Sequence, residues 1–275
     1  MSTAGTPDQT ILFHIGKAKS AHPELVELLD FYDKLFRIQF AFKAQQLSGH
    51  PGGTGGATEI RSQNLTNGLP QITFDELGLQ LVPVAPLYQR IADLLAPYLG
   101  FPRSREEDPE PQRILETARE IFTNLGPLVG SKRSEDFHRT VSGLVMAPFL
   151  QRACESILPR IPQNSWHLGA CPVCGGKPSF AALTEDFGSR LLLCSRCNGE
   201  WSYSRLGCPF CEEKDPQTYY VSEDGSYRLY ICDACHRYLK TMDIRERGSD
   251  RCLPVENLLT VSMDMAAQQK GYKAF

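Results

Sequence analysis

The sequence lacks the patterns that identify several large classes of protein. No apolar run approaches the roughly 20 residues of a transmembrane helix, so no membrane span is predicted. The opening segment, MSTAGTPDQTILFHIGKAKS, does not place a basic stretch before an apolar one, as a secretory signal does. Neither a Gly-x-Ser-x-Gly nor a His-Glu-x-x-His motif occurs. These absences favour a cytoplasmic protein that is not an enzyme.

An excess of positive charge is also missing. The net charge is −3 over 275 residues, and segment 166–247 holds ten Lys and Arg against eleven Asp and Glu. A protein that binds nucleic acid should present a basic face, so nucleic-acid binding is not expected. One hint points the other way, because Arg190, Arg196 and Arg205 cluster around one cysteine pair. They indicate either an anion-binding face or cations that offset a thiolate-rich site.

The first half of the chain predicts helices. Apolar residues recur at helical spacing between His22 and Leu47, and further helices are predicted over 86–99, 111–124 and 135–157. The glycine-rich stretch GHPGGTGGATEI at 49–60 lacks the Gly-Lys-Ser/Thr ending of a phosphate-binding loop. It is therefore predicted to be a mobile loop, and the part before Trp166 is predicted to be mostly α-helical.

Cysteine, by contrast, is abundant, and its arrangement is the main feature of the chain. Eight of the ten cysteines form four Cys-x-x-Cys pairs: Cys171/Cys174, Cys194/Cys197, Cys208/Cys211 and Cys232/Cys235. Two thiolates three residues apart can bind one ion, and two such pairs supply the four sulfurs of a tetrahedral zinc or iron site. The chain therefore carries ligands for two metal ions.

The intervals between the pairs indicate which pairs share an ion. Nineteen residues separate Cys174 from Cys194, and 20 separate Cys211 from Cys232, so the segment repeats one unit. Each unit begins with Cys-Pro-x-Cys and ends with a short apolar run before its second pair. Such a repeat favours sequential pairing, first with second and third with fourth. A crossed, RING-like pairing remains open.

Other uses of the cysteines fit less well. Disulfides need an oxidising compartment, and a thioredoxin-like motif would explain one pair beside a βαβ pattern but not four in tandem. A unit of about 40 residues buries too little apolar surface to fold alone, and a structural metal ion can supply the missing free energy. A structural role for the cysteines is therefore favoured over direct redox or sulfur chemistry.

The residues around the cysteine pairs resemble a known family. The runs CPVCGGKP at 171–178, LCSRCNGEWSYSRLGCPFC at 193–211 and CDACHRYLK at 232–240 are similar to the formate dehydrogenase accessory proteins of the FdhE family. The resemblance implies an all-α domain at 1–165, followed by two tandem rubredoxin-like, zinc-ribbon-like modules at 166–206 and 207–247. A tail with a short helix is predicted at 248–275.

That resemblance also implies a function. Proteins of the family are cytoplasmic assembly factors that bind the immature catalytic subunit of respiratory formate dehydrogenase before its export. The resemblance also implies two metal ions bound by the eight paired cysteines, with iron favoured over zinc. A rubredoxin-like iron protein that handles electrons or sulfur is one alternative, and a zinc-ribbon nucleic-acid binder is another. A monomer and a homodimer both fit the sequence.

Several further residues carry expectations. The motif residues Trp201 and Tyr238 are expected to pack over the metal loops, with Arg205 and Lys240 on the surface. Neighbouring histidines, His167 and His236, are candidate hydrogen-bond donors around the sites, but not ligands. Two cysteines stand outside the pairs. Cys154 is expected to be a small buried hydrophobe, and Cys252 is an alternative candidate for a reactive thiol.

Overall fold

A helical part precedes a sheet that carries both cysteine clusters, as the fold class predicts. The computed structural model describes residues 5–46, 59–124, 133–162, 164–184, 189–214, 218–244 and 251–274. The helices before the sheet are α1 (Pro7–Ala21), α2 (Val26–Gln46), α3 (Ser62–Thr66), α4 (Ala85–Tyr98), α5 (Pro111–Thr123) and α6 (Arg133–Ile157). Except for its last two residues, the glycine-rich stretch at 49–60 lies outside the described residues.

The four helices that the sequence predicts are present as α2, α4, α5 and α6, each within a few residues of its expected bounds. Helix α1 was not among them. It begins with a capping box between Thr6 and Gln9, and its buried residues Ile11, Ile15 and Ala18 follow at four- and three-residue spacing. These two signals together would have identified the helix from the sequence.

The two modules share one sheet. Its strands are β1 (Pro178–Leu183), β2 (Ser189–Cys194), β3 (Glu200–Ser204), β4 (Thr218–Val221), β5 (Tyr227–Cys232) and β6 (Arg237–Asp243). Each module forms an antiparallel three-stranded half, and the order across the sheet is β3-β2-β1-β6-β5-β4. Parallel pairing of β1 with β6, from Phe180 opposite Lys240 to Leu183 opposite Asp243, joins the halves.

The two modules belong to different hydrophobic cores. The largest core runs from the helices, with Ile91 and Val145, into the first module, with Leu192 and all four of its paired cysteines. A separate, smaller core in the second module contains Leu229 and Ile231. The first module is thus continuous with the helical part in its packing. The domain boundaries at 165, 206 and 247 stay a prediction, because packing alone does not test independent folding.

The C-terminal segment contains two helices where one was expected, α7 (Leu253–Leu259) and α8 (Val261–Gln269). Helix α7 returns to the helical part, where Val255 joins a core with Ile11 and Phe36. Helix α8 packs on the second module through Ala267. Within the described part of the chain, no helix combines the length and apolar character that crossing a bilayer requires.

Candidate metal centres

All four Cys-x-x-Cys turns adopt one backbone conformation. The residue after the second cysteine has a positive φ in every turn, with values of 71°, 56°, 62° and 52° at Gly175, Asn198, Glu212 and His236. This left-handed conformation suits glycine and asparagine, but it is unfavourable for Glu212. The same geometry at four places shows that the turns are equivalent units.

The first and second turns bring four sulfurs together, and we call this cluster the first centre. Its Sγ atoms lie 3.7 Å apart for Cys171 and Cys197, 3.5 Å for Cys174 and Cys194, and 3.6 Å for Cys174 and Cys197. A zinc–sulfur bond of about 2.3 Å gives a tetrahedron with edges of about 3.8 Å. The sulfurs are therefore spaced as a tetrahedral ion requires.

The third and fourth turns form the second centre in the same way. Cys208 and Cys235 lie 3.7 Å apart at Sγ, as do Cys211 and Cys232, and all four sulfurs lie within 4.8 Å of one another. The structure thus groups the turns sequentially, and the crossed pairing is wrong. Metal ligation by these eight cysteines stays a prediction.

The chemistry of the first centre fits a divalent cation. Burial raises the pKa of Cys171 well above its usual value. Burial also opposes ionisation of Cys194, but hydrogen bonds with Cys171, Cys174 and Cys197 outweigh it and hold the pKa of Cys194 well below the usual range. One thiol therefore ionises readily while its neighbour resists. A bound cation would allow all four to become thiolates, as metal-coordinating thiols do.

Backbone hydrogen bonds fasten the first turn to the helical part. The amide of Gln71 donates to the carbonyl of Pro172 at 2.9 Å, and the amide of Ile72 donates to the carbonyl of Val173 at 3.1 Å. These two acceptors are the residues between Cys171 and Cys174. A loop of the helical part thus holds the turn from outside the module.

Arg196 fastens the second turn to the end of helix α5. Its guanidinium donates to the carbonyl oxygens of Ile121 at 2.8 Å and Phe122 at 3.0 Å. Carbonyls in the last turn of a helix lack partners within it, so this contact caps α5. Arg190 is also turned inward and is almost completely buried. The interpretation of these two arginines as an anion-binding face is therefore wrong.

The second centre lies nearer the surface. Cys208 and Cys232 are buried, Cys235 is partly exposed and Cys211 is exposed. Its fourth turn is held by the C-terminal segment, where the amide of Lys273 donates to the carbonyl of His236 at 2.8 Å. This centre therefore has one open side, unlike the first.

The motif residues stabilise the fold, with one difference from expectation. Trp201 and Tyr238 are buried, and they hydrogen-bond to the Leu168 carbonyl and the Asp264 carboxylate. Arg205 is half-buried. Lys240 is not on the surface as expected. It is only 2% exposed, and its Nζ lies 2.6 Å from the Asp264 carboxylate. The Tyr-Leu-Lys motif thus anchors helix α8 on the sheet.

The remaining cysteines and histidines fill supporting positions. Cys154 is buried, as expected, and it contacts Cys197 of the first centre from helix α6. Cys252 is buried too, and burial raises its pKa to about 11, which disfavours the thiolate that a reactive thiol needs. His167 is exposed, and the ring of His236 lies 6.2 Å from the ring of Tyr272.

Glu200 is a residue of the first centre's surroundings that the sequence reasoning missed. Burial raises the pKa of its carboxyl to about 7. It borders a cavity of about 430 Å³ that Cys154, Cys197 and Cys252 also line. Its position directly before Trp201, in the run that resembles the family, is the sequence signal for it.

The chain is similar to several curated proteins, each described as "Protein FdhE homolog". The relative from Aquifex aeolicus is 30% identical over 180 residues, which is 63% of this chain and 62% of that protein. One from Shewanella baltica is 32% identical over 108 residues, 38% of this chain and 36% of the relative. One from Haemophilus ducreyi is 30% identical over 106 residues, 37% and 34% of the two chains. The matches thus span about three fifths of the first relative and about a third of the others.

A solved structure and a family model agree with these relatives. The crystal structure of the FdhE protein from Pseudomonas aeruginosa aligns with 98% of this chain and 92% of its own, with a TM-score of 0.54 and 21% identity. That similarity concerns the fold alone. Residues 170–205, which include the whole first centre, match the family described as "FdhE, central domain". This match and the curated relatives agree that the chain is similar to the FdhE family.

Proposed function

We propose that this chain is an accessory protein for the maturation of respiratory formate dehydrogenase, and that it binds the immature catalytic subunit in the cytoplasm before export. Similarity to the FdhE family supports the proposal. In this role the chain performs no catalytic step of its own. Its helical part and its two metal modules together form a docking body for the partner.

The proposal assigns two metal ions to the eight paired cysteines. Sulfur separations of 3.5 to 3.7 Å support the assignment, because they approach the edge of a tetrahedral four-thiolate site. Zinc and iron both accept four thiolates, and the family resemblance favours iron. Elemental analysis of protein from its own host should give two ions per chain. Fewer than two ions would contradict the assignment.

The observation that carries the docking role is a set of exposed apolar residues on strand β4 of the second module and at Leu206, where the first module ends. Leu206, which lies two residues before Cys208, is 71% exposed, and Val221 of β4 is 54% exposed. Tyr219 and Tyr220 of the same strand are exposed as well. Strand β4 ends the sheet, and an edge strand with apolar side chains is suited to pairing with a partner.

Capture of the catalytic subunit tests this role. The double variant Leu206→Asp plus Val221→Asp should lower its recovery with the tagged full-length chain by about tenfold or more, because charge opposes burial of the surface. The matched control is Phe13→Asp in helix α1, where the side chain is 64% exposed. An equal loss in this control would move docking to the helical part. No capture by the wild-type chain would overturn the proposed function.

The exposure of the second centre also favours a second candidate function. An iron ion bound by Cys211 near the surface could exchange electrons with a partner, whereas zinc has no redox chemistry. Protein loaded in its own host should then absorb visible light and bleach reversibly with dithionite. Colourless, zinc-loaded protein would exclude this function.

A further inference from the structure

Arg190 of strand β2 is a buried cation without a carboxylate partner in the described part of the chain. Arg190 is 1% exposed, and its Nη2 donates a hydrogen bond to the carbonyl of Gly207 at 2.6 Å. The guanidinium carbon lies 5.5 Å from the ring centre of Tyr203 and 5.8 Å from that of Tyr230. Nε and Nη1 are buried without a hydrogen-bond partner among the described residues. The contacts of Arg190 therefore leave its charge unbalanced.

The internal repeat provides a direct comparison. Arg190 stands four residues before Cys194, and Arg228 stands four residues before Cys232 in the second unit. Arg228 also lies over a tyrosine ring, at 5.1 Å from the centre of Tyr219, but its Nη2 has the Asp243 carboxylate at 2.8 Å. The two arginines thus occupy equivalent positions, and one has a counter-anion that the other lacks.

A buried charge without a partner is costly, so Arg190 needs an anion. Two aromatic faces supply only about 2 kcal/mol or slightly more, far less than the desolvation of an ion costs. Burial lowers the pKa of Arg190 to about 10, which leaves the group charged at neutral pH. The Gly207 carbonyl that it binds directly precedes Cys208, whose thiolate favours the charged guanidinium. Four thiolates around a divalent ion carry a net charge of about −2.

We propose that Arg190 is the internal counter-cation of the second centre. Its side chain extends from strand β2 of the first module to the Gly207 carbonyl at the start of the second. The guanidinium lies near Tyr203 of the first module and Tyr230 of the second. Metal loading of the second centre and docking of the two modules therefore stabilise each other. This inference rests on the proposed binding of metal by the second centre.

Zinc release from the full-length, zinc-loaded chain tests the proposal. Release to a chromogenic chelator should show a faster phase from the exposed second centre, identified by its loss in the variant Cys211→Ser plus Cys235→Ser. Arg190→Met should accelerate that phase by about 10- to 100-fold, the range for outer-shell partners of metal ligands, and leave the slower phase unchanged. The double variant Arg228→Met plus Asp243→Asn is the matched control and should release zinc within about threefold of wild type, because it removes both charges of the pair and leaves neither unbalanced.

Arg190→Lys separates charge from packing. Lysine keeps the cation but loses the planar stack, so release should stay within about threefold of wild type if charge is the cause. It also provides a folded variant if the methionine variant does not fold. A wild-type chain with fewer than two zinc ions would overturn both the metal assignment and this proposal. Two ions in wild type, with equal release from Arg190→Met, would overturn only the role of Arg190.

Discussion

The two centres are built from the same turns and the same repeat, yet they occupy opposite environments. All four cysteines of the first centre are at most 3% exposed, whereas Cys211 of the second is open to solvent. Both turns of the first centre are bound by the helical part, one through Gln71 and Ile72 and the other through Arg196. The fold thus uses one copy of a metal unit as part of its core and leaves the other at its surface.

The sequence contains a signal for this difference. Two residues after the second cysteine of each turn, the first centre has Gly176 and Gly199, and the second has Glu213 and Arg237. A Cβ on Gly199 would lie 2.5 Å from the Cys154 sulfur and 3.2 Å from the Cys197 sulfur. Neighbouring atoms leave no room for a side chain there. At the second centre the same positions hold long charged residues: Glu213 is exposed, and Arg237 lies over the Phe210 ring and donates to the Ala274 carbonyl at 3.1 Å.

Removal of ligands should produce the largest difference between the centres. Cys194→Ser plus Cys197→Ser should abolish cooperative folding of the helical part, because a structural metal site can contribute about 10 kcal/mol, as much as a whole domain's stability. Cys211→Ser plus Cys235→Ser should leave the helices folded and disorder only the second module. Thermal unfolding followed by circular dichroism at the helical band measures both. Equal loss of helical signal in the two variants would show that the centres support the fold alike.

Filling the space at Gly199 should have an intermediate effect. The variant Gly199→Ala must push Cys154 away from the first centre, and such overpacking costs about 1 to 3 kcal/mol in unfolding free energy. The matched control is Gly16→Ala in helix α1, where nothing lies within 4 Å of the new Cβ. It should be neutral or stabilise by up to about 1 kcal/mol. Urea unfolding of the metal-loaded proteins gives both values, and a Gly199→Ala variant as stable as wild type would refute the close packing.

Patterns within short stretches of the sequence predict the helices and the two cysteine clusters. Apolar periodicity located four helices, and the cysteine intervals located both centres and their grouping. Contacts between distant segments were beyond such patterns. Lys240 was expected on the surface because lysine usually is, but Asp264 lies 24 residues later on a helix that covers it. The parallel pairing of β1 with β6 is of the same kind, since neither strand's sequence specifies its partner.

The smallest expected difference between the centres is one of pH dependence, and it concerns Glu200. Three residues after Cys197, this carboxyl lies beside the first centre, whereas Tyr238 holds the equivalent position at the second. Burial raises the pKa of Glu200 from 4.5 to about 7, so the native state keeps a proton that the unfolded state has lost. The contribution of Glu200 to stability should therefore be full below pH 4.5 and fall as the pH rises through about 7. The loss amounts to about 3 kcal/mol.

The glutamine side chain of the Glu200→Gln variant cannot ionise, so this variant should not lose unfolding free energy in this way as the pH rises. Its advantage in unfolding free energy over wild type should grow between pH 5 and pH 7 and stay constant above about pH 8. Protonation of the cysteines contributes equally to both proteins and cancels in the difference. Urea unfolding of both proteins at several pH values measures that difference. An advantage that is flat across the range, or that shrinks as the pH rises, would show that burial does not raise the pKa of Glu200.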